Sequence, residues 1–166
     1  MILLTLLAVL MTFHPKDQIV SPGLEHANPE MREGDLKAAV TARVEEFLAK
    51  LGRRDIAGVR ALLAPKALIA IVRQQPDGTF ANGYQTGEEF VARLEAAAAQ
   101  PGFEEPISNV QVTVDSERLA HVRADYAIIR GGTTLASGVD HFVLLKEPDG
   151  WKIALIAYTS LPTPQR

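Results

Sequence analysis

The C-terminal third of the chain limits most strongly what it can become. Between Ile107 and Leu161 lie four segments rich in β-branched, aromatic and aliphatic residues: Ile107–Val114, Arg118–Arg130, Thr134–Glu147 and Trp151–Leu161. Such runs, bounded by turn residues, read as strands. Their connections are short. Gly131-Gly132 signals a tight hairpin, and Pro148-Asp149-Gly150 suits a type I turn with a left-handed glycine and a bulge. Strands joined this way pair as an antiparallel meander. A sheet of this kind needs another layer to cover its apolar face.

That layer lies upstream. Asp35 can cap a first helix to about Leu51, with Leu36, Val40, Val44, Phe47, Leu48 and Leu51 at helical spacing and Gly52 as the stop. Asp55 caps a short second helix to about Ala64, ended by Pro65. Ala67 to Arg73 reads as a strand, and Pro76-Asp77-Gly78 as a turn. Thr86 and Glu89 form a capping box that opens a third helix through about Ala99, closed by Pro101-Gly102. Helices first and a meander after them predict an α+β fold in which an antiparallel sheet curls around the N-terminal helices with a pocket between them.

Taking Glu147 opposite Trp151 across the last turn places Asp140 opposite Tyr158, Phe142 opposite Ile156 and Leu144 opposite Ala154. Phe142, Leu144, Ala154 and Ile156 then share one face. Val139, Val143, Leu145, Trp151, Ile153 and Leu155 share the other. A one-residue slip would exchange the faces. Both are apolar, so the sheet needs two covers. The helices supply one. A second copy of the chain is the expected other, giving a homodimer through the outer sheet face; the alternative is that the N-terminal segment folds over it.

Composition removes several function classes. The 166 residues allow one domain with a substantial core. A net charge of -3 offers no basic footprint for nucleic acid. With no cysteine there is no disulfide, thiolate ligand or thiol nucleophile. Four scattered histidines without carboxylates at ligand spacing predict no metal site, and no motif calls for a cofactor. No serine sits in a Gly-x-Ser-x-Gly context. Met1 to Phe13 is almost wholly apolar, but shorter than the roughly 20 residues of a stable membrane span. It fits the apolar core of an export signal, although no Lys or Arg precedes it. Export to the periplasm or beyond is the expectation, with a cytoplasmic location if the segment is not a signal. Residues 1–34 thus read as this segment plus a proline-rich linker, 35–161 as the domain, and 162–166 as a tail.

Val44 to Leu63, the strand after Pro65, the helix from Thr86, and Gly138-Val139-Asp140-His141-Phe142 followed by Asp149-Gly150-Trp151-Lys152-Ile153 together resemble the NTF2-like superfamily. The ending is most similar to its SnoaL-like and "putative lumazine-binding" branches. The resemblance implies a cone-shaped α+β fold with a pocket. For function it implies little, because one fold hosts many chemistries. The superfamily's ketosteroid isomerases offer a residue-level comparison. Their oxyanion-holding tyrosine matches Phe47 here, which has no hydroxyl. Their general-base aspartate falls near Ile71, in a strand without a carboxylate. Their second oxyanion-holding acid matches Asp140.

The candidate ligand-binding residues are therefore Phe47, Arg73, Tyr84, Arg123, Asp140 and Tyr158. Asp140 is a carboxyl among apolar neighbours, either a pocket acid or a buried structural group. Tyr158 can orient a ligand or simply end half-buried. Arg73 and Tyr84 flank the segment expected at the pocket mouth. His121, Arg123 and Asp125 share one strand face, which either lines the pocket or forms a solvated ladder. A tight hairpin at Gly131-Gly132 would set Arg123 opposite Asp140; a bulge would break that pairing. His141 points away from Asp140. The leading expectation is binding of a small apolar or amphipathic molecule. The alternatives are a SnoaL-like cyclase, dehydratase or isomerase using Asp140 and His121 as acid and base, and a non-catalytic dimerisation or accessory domain with a filled core.

Overall fold

The computed structural model describes residues 29–162. The apolar N-terminal segment, His14, His26 and residues 163–166 lie outside the described residues. The elements run α1 (Pro29–Gly52), α2 (Ile56–Leu62), β1 (Leu63–Gln74), β2 (Phe80–Thr86), α3 (Gly87–Ala96), β3 (Ile107–Asp115), β4 (Leu119–Arg130), β5 (Thr133–Glu147) and β6 (Gly150–Pro162).

Each helix has a local cause. On α1, Val40, Val44, Phe47 and Leu48 form one buried stripe at helical spacing. The helix starts at Pro29, ahead of the expected cap at Asp35. Proline suits a helix's first turn, and a Glu33–Lys37 pair at 2.6 Å spans the extra turn. Asp55 caps α2, its Oδ1 accepting the Gly58 N–H at 2.9 Å. The capping box at α3 is present in both directions between Thr86 and Glu89. That helix ends at Ala96, short of Ala99.

The six strands form one sheet in the order β2-β1-β6-β5-β4-β3. β1 and β6 run parallel; every other neighbouring pair is antiparallel. The sequence reading contained five of these strands and missed β2. Asn82-Gly83 carries a local turn preference, but pairing along β1, from Gln74↔Phe80 to Leu68↔Thr86, makes the segment an edge strand. Long-range hydrogen bonding outweighs the local turn preference here.

Two bulges decide which residues face the core. The Gly131-Gly132 hairpin is tight, with Arg130 opposite Thr133 and both glycines at positive φ (56° and 77°). The ladder then shifts: Ile129 pairs Thr134, but Ile128 pairs Ala136, leaving Leu135 as the extra residue. Arg123 consequently meets His141, and Ala124 meets Asp140. The tight-hairpin pairing of Arg123 with Asp140 is thereby overturned.

The β5–β6 hairpin pairs Glu147 with Gly150, not with Trp151, so the turn lacks the expected bulge. A shift one residue long follows at Ala154, between Val143↔Leu155 and Leu144↔Ile153. Beyond it Asp140 faces Tyr158 and Phe142 faces Ile156, as read from sequence. Before it, the faces are exchanged. Trp151 and Ile153, expected outside, are buried in the core with Leu144.

The helices pack on the inner face, over Ile69, Ile71, Val122, Phe142, Leu144, Ile153 and Ile156. The outer face carries Leu68, Val72 and Leu145, all exposed.

Candidate functional site

A cavity of about 240 Å³ lies between the helices and the inner sheet face. Its wall is aromatic: Phe47 from α1, Phe90 from α3, Phe142 from β5, Tyr126 from β4, Tyr158 from β6 and Phe103 from the α3–β3 connection. Phe47 stacks with Phe90 at 6.5 Å and meets Phe142 edge-on at 6.2 Å. Tyr126 and Tyr158 meet edge-on at 6.3 Å.

Asp140 is the inward-facing polar residue of β5, between Val139 and His141, which point outward. It is 3% exposed, and its Oδ2 has no hydrogen-bond partner. Ala124 and Tyr158, its neighbours across the two ladders, leave it in apolar and aromatic surroundings. Burial alone pushes its pKa up to about 7.

A second carboxyl enters from the connection between α3 and β3. The Phe103 N–H bonds to the Gly52 carbonyl at 3.1 Å, tying the connection to the end of α1. Glu104 then exchanges two backbone bonds with Ile129, each of 2.8 Å. This short bridge directs Glu105 into the cavity. The residue is partly exposed overall, because the cavity itself is accessible, yet its carboxyl is withdrawn from bulk water. Burial first, and the charge of Asp140 second, raise its pKa to about 8. No periodicity marks this position. The only signal was the pair Glu104-Glu105 between Phe103 and Pro106, in a connection too short to lie far from the sheet.

Gly138 has a related role. A Cβ there would lie 2.9 Å from Cε1 of Tyr126 and collide with the Thr159 carbonyl oxygen. Its absence lets the Tyr126 hydroxyl cross the strand and donate to that same carbonyl at 2.8 Å. Burial, then the charge of Asp140, hold the Tyr126 phenol well above its ordinary pKa. Burial also raises that of Tyr158.

Of the residues singled out from sequence, Phe47, Arg73, Asp140 and Tyr158 line the cavity. Tyr84 and Arg123 do not. Tyr84 is opposite Ala70 on the outer face of β2 and is 79% exposed. Arg123 is on the outer face of β4, paired with Asp125 at 2.8 Å. His121 is on that face too, with its Nε2 3.2 Å from Nδ1 of His141 and the two rings stacked at 5.4 Å. The pKa of His141 is lowered by burial, then by His121 and Arg123. The polar side of β4 is therefore an outer ladder. Asp140 and His121 lie on opposite faces of the sheet and cannot meet one substrate. No cluster of metal-ligating side chains occurs among the described residues.

A bent sheet closed over helices, with an aromatic cavity between them, defines an NTF2-like, cystatin-like fold. The sequence profile of the family described as "Putative lumazine-binding" matches residues 35–159, and the chain belongs to that family. Solved structures agree on the fold. A protein of unknown function from Mycobacterium tuberculosis is 15% identical, with a TM-score of 0.64 over 80% of this chain and 76% of its own. An NTF2-like protein from Novosphingobium aromaticivorans is 15% identical, with a TM-score of 0.61 over 79% of this chain and 85% of its own. A cystatin-like fold protein from Burkholderia xenovorans is 22% identical, with a TM-score of 0.58 over 80% and 97%. No curated protein matches the chain.

Proposed function

We propose that this chain is a binding protein for a small apolar or amphipathic molecule held in the cone. The observation that carries the reading is the cavity: aromatic walls around a buried carboxyl, one of whose oxygens, Oδ2, has no partner. Binding sites have this composition, mostly apolar with a few placed polar groups. The family's description is in keeping with it. Phe47 and Tyr158 supply surface for a ring, Asp140 a polar anchor, and Arg73 a charge at the rim.

A cone filled by its own side chains would favour a purely accessory domain; the open cavity weighs against that. An acid–base reading retains one supporting observation, two carboxyls of different pKa in one cavity. It would use Glu105 where the sequence had offered His121. The working form in this proposal is a homodimer joined through the outer sheet face, exported if Met1 to Phe13 acts as a signal. No helix among the described residues is long and apolar enough to cross a membrane.

Native mass spectrometry of the chain purified from its host tests the reading. A small mass carried by the folded protein and lost on unfolding is expected. A protein that stays empty, and whose melting temperature no ring compound of this size raises, would sink it.

A further inference from the structure

We infer that the ligand is a small organic cation, a body of one or two aromatic rings bearing a protonated nitrogen seated between Glu105 and Asp140. This rests on the binding reading above and adds the chemical class.

Four observations lead there. First, two carboxyls from separate segments share the cavity, and neither forms an ion pair among the described residues. Second, Asp140 is almost fully buried with an unpartnered Oδ2, so the site holds an unanswered polar atom. Third, the other polar groups on the surrounding elements do not answer it. The Tyr126 hydroxyl is committed to the Thr159 carbonyl. Arg73 of β1 is at the exposed rim, and its charge acts on Tyr158, as does that of Arg93 from α3. Fourth, four of the six phenylalanines and two of the three tyrosines in the chain line this one cavity. Aromatic faces attract cations as well as rings.

The choice between a cation and a neutral ligand follows from donor counting. A carbonyl oxygen on a neutral ligand has two lone pairs and could accept from both acids, but only while both stay protonated. Once either ionises, it offers neither a donor nor a charge. An ammonium group brings several N–H donors and a positive charge, and so answers both acids. The cavity, at about 240 Å³, is below the 300–1,000 Å³ common for drug-sized ligands, which limits the body to one or two rings.

Matched amine and alcohol pairs test this: benzylamine with benzyl alcohol, and tryptamine with tryptophol. Each is titrated calorimetrically into the full chain at about pH 6 and about pH 8.5. An alkylammonium, like lysine with its pKa of about 10.4, stays mainly charged across that range while the two carboxyls ionise. At the higher pH an amine is expected to bind at least about 10-fold tighter than its alcohol, and about 10-fold tighter than at the lower pH. At the higher pH Glu105→Gln should cut amine binding about 10-fold and change alcohol binding by a clearly smaller factor. Asp140→Asn is the second variant, and melting curves check that both fold. If the alcohols bind as well as the amines, or amine binding weakens as pH rises, the cation is overturned while the pocket stands. If neither member of either pair binds, both readings fall.

Discussion

Asp140 and Glu105 are acids whose folded-state pKa values, about 7 and about 8, stand above their ordinary 3.8 and 4.5. The consequence for stability has a definite sign. Below about pH 3 both are protonated in the folded and unfolded chain, and burial costs nothing extra. Between about pH 3 and 8 the unfolded chain loses these protons first, so the folded state binds more and stability falls as pH rises. Above about pH 8 the penalty is complete. Asp140→Asn should therefore stabilise the unliganded protein at pH 8, by about 2–4 kcal/mol, with the gain vanishing toward about pH 3. Urea unfolding at both pH values checks this; a destabilised variant at pH 8 would show that the carboxylate is needed structurally. At Gly138 the expectation is opposite. Gly138→Ala sets a methyl against the Thr159 carbonyl, a backbone atom that cannot move aside, and should cost about 2 kcal/mol or more. The polar character of Asp140 could be read from the sequence, because a lone acid among Val, Phe and Leu stands out. Glu105 could not, because the backbone bridge that aims it joins residues far apart in the chain.

At the scale of elements, local chemistry accounts for the helices and long-range pairing for the details of the sheet. The capping box at Thr86 involves residues within one turn, and its contribution is correspondingly local. Thr86→Ala should cost about 1 kcal/mol in equilibrium unfolding and leave the cavity intact. Strand identity in the meander was legible because each strand's composition and bounding turns are local as well. Register was not. Bulges at Leu135 and Ala154 each add one residue, and each exchanges the two faces of a strand on one side of it. Hence Arg123 lies outside and Trp151 inside, although their positions relative to the nearest turn implied the reverse. β2 shows the same thing: an Asn-Gly pair within it reads as a turn, and only β1 alongside makes it a strand.

At the scale of the whole molecule, helices close one face of the sheet, and among the described residues nothing closes the other. The outer centre carries Val143 opposite Leu155, with Leu68 at 54% exposure nearby. A second copy covering this face would bury them, so the chain should sediment as a dimer and Val143→Lys should give a monomer with its fold retained. Wild-type protein that sediments as a monomer at micromolar concentration would refute the dimer. Tyr84, Arg123 and the stacked pair His121–His141 belong to this outer face and not to the cavity, so substitutions there should affect assembly before ligand binding. The sequence by itself determined the class of fold, the order of helices and strands, the apolar stripe of α1 and the presence of one acid in the core. Each of these rests on composition and spacing within a few residues. Only the tertiary structure decided which side of each strand looks inward, that β2 exists, and that Glu105 joins Asp140 in one cavity. The reason is physical. A bulge or a backbone bridge leaves little trace in local composition, yet it sets the direction of every side chain that follows, and the chemistry of the site depends on that direction.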